Sequence, residues 1–282
     1  DASNVLEKNI ASVVMPIGMD HKDFLKKGTI DEIVFEKCSS LLNNSTIIVA
    51  KQKNDVLKKI RNTIENNTSN KLIFSKDYNY KKIYNGFLYE DSFGRMKLPL
   101  PNLAGDFQIS NVATAIATVR NLDKFNISEK HIKKGITKIK SEGRLQTITK
   151  GNLRKYVSKK NQILIDGAHN PLAAIQVKKY LETLGKRKKI IMILGMMFNK
   201  EHKKFITIFK NSINSVVVLN IPNQVNAIKK ENLVKIVQSV GLKAKTENSI
   251  KIALKNISRK NKNAIIFCTG SLYFAGEILN LN

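Results

Sequence analysis

One strand-turn-helix segment contains the residue types best suited to chemistry. In ILIDGAHNPLAAIQVKKYLETL (163–184), an apolar run ends at Asp166, a turn passes through Gly167, and Asn170-Pro171 opens a helical pattern. Asn at the N-cap and Pro at the first helical position are typical of a helix start. Asp166 and His169 are therefore predicted at the carboxyl end of a strand, beside a positive helix terminus, where open α/β sheets bind ligands. The alternative, that Asp166 only shapes the turn and His169 is a surface residue, stays open.

A second segment repeats this arrangement near the end of the chain. In IIFCTGSLYFAGEIL (265–279), a predicted strand ends at Thr269-Gly270-Ser271 and a helix follows. Such a turn can present backbone N–H groups to a nucleotide or a carboxylate. Many α/β units end in Gly-Ser, so this segment alone is weak support for a site.

Three further candidates are ordinary when each is taken alone. Asn111 lies three residues after Gln108 on a predicted helix, so the two side chains share a face. His21 follows Asp20, and such a pair can bind a metal ion, although lone Asp-His pairs are usually structural. Lys37 is one of many lysines.

Several common catalytic motifs do not occur in the sequence. It contains no G-x-x-x-x-G-K-[ST] loop, no G-x-G-x-x-G and no G-x-S-x-G. Its two cysteines, Cys38 and Cys268, are too few for a disulfide framework or a four-cysteine zinc site, so buried free thiols are expected. From the residues alone, the chain is an α/β binding protein or enzyme with a site near Asp166.

The elements that must position these residues follow an alternating pattern. Short apolar runs alternate with amphipathic helices, which predicts an α/β fold with a parallel sheet, broken by a β-hairpin over 81–101 that turns near Ser92–Gly94. A domain boundary is expected near Ser141–Arg144, followed by a doubly wound domain. The predicted strands are 10–18, 46–51, 71–74, 162–168, 189–195, 215–220 and 264–270. The predicted helices are 30–42, 54–67, 105–122, 128–139, 201–211, 230–240, 248–258, and those that start at Pro171 and Ser271.

The chain is strongly basic. Its 282 residues include 49 Lys and Arg against 22 Asp and Glu, a formal charge of +27. Such a field speeds encounter with anions. The excess is mostly lysine scattered in pairs, without the concentrated arginines and aromatics of a nucleic-acid surface, so compositional drift is the favoured explanation. No apolar stretch reaches the roughly 18–20 residues that a membrane span needs.

Seven motifs follow one another in a fixed order along the chain: DASN (1–4), GMDH (18–21), EK (36–37), LAGDFQISNVATAIA (103–117), GRLQ (143–146), IDGAHNP (165–171) and GSLYFAGE (270–277). Together they resemble the folylpolyglutamate synthase and dihydrofolate synthase family of the Mur ligase superfamily. The resemblance implies an N-terminal ATPase-like domain, of which residues 1–143 are the back part, and a Rossmann-like glutamate ligase domain over 144–282, with the active site between them. The family's P-loop lies upstream of DASN, so the missing loop and the start without Met are read as truncation.

The same resemblance implies roles for individual residues. His21 matches a magnesium ligand, and Lys37 matches a lysine that is carbamylated in the superfamily, so both are assigned to the metal. Asp1 matches a position near the pterin substrate. Lys37, Arg144 and His169 are the implied catalytic residues. The implied nucleotide-binding residues are Asn111, Arg144, Asp166, Ser271 and Tyr273. His169, Ser271 and Tyr273 are also candidates for the glutamate side or the acyl phosphate.

The implied activity is an ATP- and Mg²⁺-dependent ligation of L-glutamate to a folate or dihydropteroate carboxylate through an acyl phosphate. Arg144 suits the phosphoryl group because a guanidinium binds phosphate oxygens as a fork. The chain by itself is expected to be inactive, monomeric and cytoplasmic, with only small-molecule partners. Two alternatives remain: a murein-type amino-acid ligase fragment, and a non-catalytic α/β binding protein that has lost its P-loop.

Overall fold

The structure, a computed structural model, describes residues 6–19, 27–184 and 188–282. The chain divides into two compact units. The first comprises residues 1–102 and 106–140, and the second comprises residues 103–105 and 141–282. The predicted α/β class is confirmed, and most predicted elements are present with ends trimmed by a few residues.

The first unit begins with a parallel sheet in the order β1-β2-β3, flanked by helices α1 and α2. Each strand is a short apolar run, and the side chains of β2 are almost wholly buried, as expected for the central strand of a parallel sheet. The bounds are β1 Ala11–Val14, α1 Ile30–Cys38, β2 Thr46–Val49, α2 Asn54–Thr63 and β3 Asn70–Ile73.

The predicted hairpin over 81–101 is a three-stranded antiparallel meander. Its turn before Gly94 is where the sequence predicts it. A further strand, β4, begins at Tyr78, and a turn at Tyr84-Asn85 connects it to β5. The sequence of β4, YNYKKI, is mostly polar, and only Tyr78 in it is buried. The strands are β4 Tyr78–Ile83, β5 Gly86–Asp91 and β6 Gly94–Leu98.

Helices α3 (Phe107–Arg120) and α4 (Glu129–Thr137) complete the first unit. α3 packs on β2, β4 and β5, and its apolar residues join one core cluster with the meander. The Tyr78 hydroxyl connects these parts, since it donates to the Val49 carbonyl at 3.0 Å and lies 3.3 Å from the Thr114 hydroxyl.

The second unit contains a six-stranded sheet in the order β11-β10-β9-β12-β8-β7. The strands β8 to β12 are parallel, and the two-residue β7 pairs antiparallel with β8. Short strands β7 and β11 and a 3₁₀ helix over Asn152–Tyr156 were not predicted. The bounds are β7 Gln146–Thr147, β8 Gln162–Ile165, α5 Pro171–Thr183, β9 Lys189–Leu194, α6 His202–Phe209, β10 Ser215–Val218, α7 Lys230–Ser239, β11 Ala244–Thr246, α8 Ile250–Lys260, β12 Ala264–Thr269 and α9 Leu272–Asn280.

Helices cover both faces of this sheet, which makes it doubly wound. α8 and α9 share a core cluster with one face of β8, β9, β10 and β12. On the other face, Phe209 of α6 packs on Phe267 of β12 at 6.0 Å between ring centroids, and α5 and α7 flank α6. The neighbouring strands β8 and β12 are therefore followed by helices on opposite faces, which creates a topological switch point at their carboxyl ends.

Within the described residues, no helix is both long enough and apolar enough to span a bilayer.

Candidate functional site

The turn after β8 is built around the Asp166 carboxylate. Asp166 is 3% exposed, and its Oδ1 accepts the backbone N–H of Ala168 at 2.7 Å. Its Oδ2 accepts the backbone N–H of Leu145 at 2.9 Å. The Asp166 backbone N–H is also bonded, to the Cys268 carbonyl on β12 at 2.9 Å. One buried side chain thus joins two loops, since Ala168 follows β8 and Leu145 precedes β7.

The 143–146 loop is attached to this turn at further points. The Gly143 carbonyl accepts the Gly167 N–H at 2.8 Å, and the Gly143 N–H donates to Gln146 Oε1 at 2.9 Å. Gln146 itself pairs with Ile165 at the start of β7. Arg144 is therefore an exposed side chain on a backbone that is anchored on both sides.

The turn after β12 lies directly against the turn after β8. The Ala168 carbonyl accepts the Gly270 N–H at 3.0 Å and lies 3.3 Å from the Thr269 hydroxyl. At Gly167, a Cβ would lie 2.2 Å from Leu272 Cδ2, so a side chain there would require Leu272 at the start of α9 to move. The two segments that the sequence predicts as ligand-binding turns therefore form one surface at the switch point.

Two charged or polar side chains, Arg144 and His169, lie near the Asp166 carboxylate. Burial raises the pKa of Asp166, while the two backbone N–H bonds, Arg144 and His169 act in the opposite direction. The His169 ring is oriented by Nδ1, which lies 3.0 Å from the Gly167 carbonyl. Because a carbonyl oxygen only accepts, Nδ1 carries the proton. Arg144, Asp166 and His169 thus form one group.

Ser271 and Tyr273 open helix α9 beside this group. Ser271 is 2% exposed, and its hydroxyl oxygen accepts the Tyr273 N–H at 3.1 Å, so it serves as the N-cap of α9. Tyr273 is 58% exposed. The predicted cap at Asn170 is confirmed in the same way, since its side chain accepts the Ala173 N–H at 2.9 Å.

Asn111 and Lys37 belong to the first unit. Asn111 Nδ2 donates to Gln108 Oε1 at 2.9 Å, as the shared helix face predicts, and Gln108 is buried. Lys37 is exposed in the last turn of α1. The predicted site residues Asp1 and His21 lie outside the described residues.

The described ranges contain no group of three or more His, Cys, Asp or Glu side chains placed to hold a metal ion. Both cysteines are free and buried, as predicted.

The loop contacts of Asp166 were not anticipated from its sequence neighbours. Its partner Leu145 is 21 residues away in the chain, and an apolar residue gives no sign of a role. The one signal was the position of Leu145 inside the GRLQ motif.

Known proteins with a related sequence show what the chain is similar to. Residues 149–281 match the family model for the C-terminal domain of dihydrofolate synthetase. A probable dihydrofolate synthetase from Schizosaccharomyces pombe is 24% identical over 288 residues, which are 99% of this chain and 67% of that protein. The chain is similar to the folylpolyglutamate synthase and dihydrofolate synthase family, and the family model matches its second unit.

Solved structures of folylpolyglutamate synthases share the fold. A Mycobacterium tuberculosis folylpolyglutamate synthase, complexed with ADP and AMPPCP, matches with a TM-score of 0.84 and 20% identity over all of this chain and 65% of that one. FolC of E. coli, in complex with DHPP and ADP, matches with a TM-score of 0.81 and 22% identity over 99% of this chain and 63% of FolC. This chain thus spans about two thirds of the length of these three relatives.

Proposed function

We propose that this chain is part of an ATP-dependent ligase that joins L-glutamate to a folate or dihydropteroate carboxylate and forms ADP. In this proposal, residues 1–143 are the later part of an ATPase-like domain and residues 144–282 are the glutamate ligase domain. The observation that carries the proposal is the group of Arg144, Asp166 and His169 at the topological switch point. The similarity to dihydrofolate and folylpolyglutamate synthases supports the same activity.

The proposed reaction explains why cationic and N–H groups are needed there. A substrate carboxylate oxygen attacks the γ-phosphorus of ATP, ADP leaves, and an acyl phosphate forms. The amine nitrogen of glutamate then attacks the acyl carbon, phosphate leaves with the bonding electrons, and the nitrogen loses a proton. Catalysis of this kind depends mainly on charge stabilisation and positioning.

Arg144 and His169 are the residues proposed to act on the transferring phosphoryl group. The Arg144 guanidinium is exposed and can bind phosphate oxygens through two N–H groups, in a geometry that a point charge does not provide. His169 adds a polar ring oriented through its Nδ1. The N-termini of α5 and α9 add favourable dipoles for an anion.

The other proposed roles follow from the family. Asn111 and Asp166 are assigned to the nucleotide, together with Ser271 and Tyr273, and Asp1 to the pterin side. Tyr273 is exposed enough to contact a small ligand, whereas the Ser271 oxygen also caps α9.

No step of this reaction is assigned to magnesium. The described residues include no group of three metal-binding side chains, whereas Mg²⁺ in a nucleotide site is usually held by one or two side chains together with phosphate oxygens and water. The proposed ligands are His21, which lies outside the described residues, and the exposed Lys37 in a carbamylated form.

Two measurements test this proposal. Calorimetric titration of the 282-residue chain with ADP is expected to show saturable binding that Arg144→Ala weakens. The matched control is Arg95→Ala, which removes the same charge from an exposed site on the meander. Equal weakening by both variants would indicate general attraction of ADP to a chain of charge +27. No saturable binding would contradict the proposal and favour a non-catalytic protein.

Ligation is tested on a hybrid that places the part of FolC not covered by this chain ahead of residue 1. We expect ADP release that requires both L-glutamate and dihydropteroate or tetrahydrofolate. The 282 residues alone contain no Walker-type phosphate loop and are expected to give none. Activity with UDP-muramoyl substrates instead would favour the murein-type ligase.

A further inference from the structure

We propose that Asp166 is a positioning residue for Arg144, and that it acts by holding the backbone of Leu145. This inference rests on the proposed function, because it assumes that Arg144 binds the phosphates of the nucleotide. It changes the expected role of Asp166 from a nucleotide contact to the support of another residue.

The hydrogen bonds of Asp166 carry the argument. Each carboxylate oxygen accepts one backbone N–H, at 2.9 Å from Leu145 and at 2.7 Å from Ala168. The Ala168 bond fixes the carboxylate within its own turn, so the Leu145 bond transmits that position to the 143–146 loop. Hydrogen bonds to a charged acceptor are the stronger class, which suits a contact that must fix geometry.

Leu145 needs such a support because of its backbone conformation. Its φ is +47°, in the left-handed region that non-glycine residues rarely occupy, and its side chain is 3% exposed. A conformation of this kind persists only where the surroundings enforce it, and it often occurs at functional sites. The preceding Gly143 also has a positive φ, of +64°. Arg144 therefore lies between two left-handed residues, and its direction depends on both being held.

The position of Asp166 agrees with a supporting role. It is almost wholly buried, whereas Arg144, one residue from its bonding partner, is exposed. A buried carboxylate costs free energy unless it is hydrogen-bonded, and here the backbone donors serve both oxygens. Arg144 lies near enough to lower the pKa of Asp166, so the carboxylate also attracts the group that it positions.

The first test is amide hydrogen exchange on Asp166→Asn. An amide side chain has only one acceptor oxygen, so it serves one of the two N–H groups and faces the other with its own donor. We expect faster exchange at Leu145 in a chain that still folds, judged by circular dichroism. Asp77→Asn is the matched control, since that carboxylate also accepts a backbone N–H, from Ile73 at 2.8 Å, in the other unit. Unchanged exchange at Leu145 in Asp166→Asn would overturn the proposal.

The second test is a double-mutant cycle with ADP as the probe. If Asp166 acts through Arg144, Asp166→Asn raises the Kd for ADP roughly tenfold in the native background. With Arg144→Ala already present, it changes the Kd by less than about twofold. An equal factor in both backgrounds would show that Asp166 contacts the nucleotide directly and would overturn the proposal.

A second variant covers the case in which Asp166→Asn does not fold. Gln146→Ala removes the side chain that accepts the Gly143 N–H and leaves Asp166 intact. We expect it to weaken ADP binding in the same Arg144-dependent way, and an Arg144-independent effect would count against the proposal. If the unmodified chain does not bind ADP at all, the proposed function is refuted. The amide exchange at Leu145 would then be the only test of whether Asp166 holds the 143–146 loop.

Discussion

Gly270 at the switch point has no room for a side chain, because the neighbouring backbone lies too close. Its φ is +114°, and a Cβ there would lie 2.4 Å from the Gly195 carbonyl oxygen and 2.8 Å from Met196 Cγ. The carbonyl belongs to the backbone after β9 and cannot move aside easily. Gly270 thus allows β12 to end close beside β9. The Gly270 N–H also donates to the Ala168 carbonyl.

Gly270→Ala is expected to destabilise the protein by about 2–4 kcal/mol, because it adds backbone strain to a steric overlap. Gly276→Ala is the matched control, since Gly276 lies inside α9, and an added Cβ there would meet no described atom from outside its own helix within 4 Å. That change is expected to stabilise by about 0.5–1 kcal/mol. Urea unfolding monitored by circular dichroism measures both, and equal values for the two variants would contradict the steric argument.

Residue types alone predicted the position of Asp166 but not its partners. The strand-turn-helix pattern placed it at the carboxyl end of a strand, because apolar runs, glycine and helix-start residues are local signals. The bond to Leu145 joins residues 21 apart in the chain, and no local pattern reports such a contact.

At the scale of elements, helix starts in the second unit differ in their caps. Ser249 caps α8, and its hydroxyl accepts the Ile252 N–H at 3.3 Å. Lys229 stands at the start of α7 in extended conformation and forms no side-chain cap. A side-chain acceptor at this position satisfies an N–H group that the helix leaves open.

Removal of the α8 cap and addition of a cap to α7 should therefore have opposite effects. Ser249→Ala is expected to cost about 1 kcal/mol, whereas Ser249→Asp keeps an acceptor and costs less. Lys229→Asp is expected to stabilise by about 0.5–1 kcal/mol, because it adds an acceptor and a favourable charge at a helix N-terminus. Lys229→Ala, which adds no acceptor, is the control. Denaturant unfolding measures all four, and no gain from Lys229→Asp over Lys229→Ala would contradict the prediction.

The elements that the sequence did not reveal are short or polar. β4 has one buried residue in six, so its alternation of apolar and polar residues is faint. β7 and β11 have two and three residues and form only because neighbouring strands offer hydrogen-bonding partners. Long apolar runs such as β9 and β12 were predictable because both faces of a central parallel strand are buried.

At the scale of the whole molecule, each unit has a buried thiol in its own core. Cys38 packs with β1, β2 and α2 in the first unit, and Cys268 packs in the core of the second. Burial raises the pKa of Cys38 from 9.0 to about 11 and that of Cys268 from 9.0 to about 12. The cause is desolvation, since burial disfavours the charged thiolate.

These shifts set the direction of a pH effect on stability. Between pH 9.0 and about 11 for Cys38, and up to about 12 for Cys268, the unfolded chain loses thiol protons that the folded chain keeps. The free energy of unfolding therefore falls as pH rises through this window and keeps its full contribution from the thiols below it.

Alkylation with iodoacetamide at about pH 9 tests the burial of the two thiols, on which this expectation depends. Both thiols should react slowly in the folded protein and rapidly in urea, since only the thiolate is nucleophilic. Peptide mass spectrometry reports each cysteine separately, and Gly270→Ala should bring labelling of Cys268 to a lower urea concentration. Labelling of either thiol in the folded chain at the unfolded rate would contradict its burial.

The sequence by itself determined the α/β class, most helices and strands, the N-cap at Asn170 and the resemblance to a ligase family. These properties depend on local spacing, which a linear pattern records. Only the tertiary structure decided that the turns after β8 and β12 meet, that helices leave them on opposite faces, and that Asp166 holds Leu145. Strand order and hydrogen bonds between distant residues depend on how the chain packs in three dimensions, so the residues that orient Arg144 became visible only in the fold.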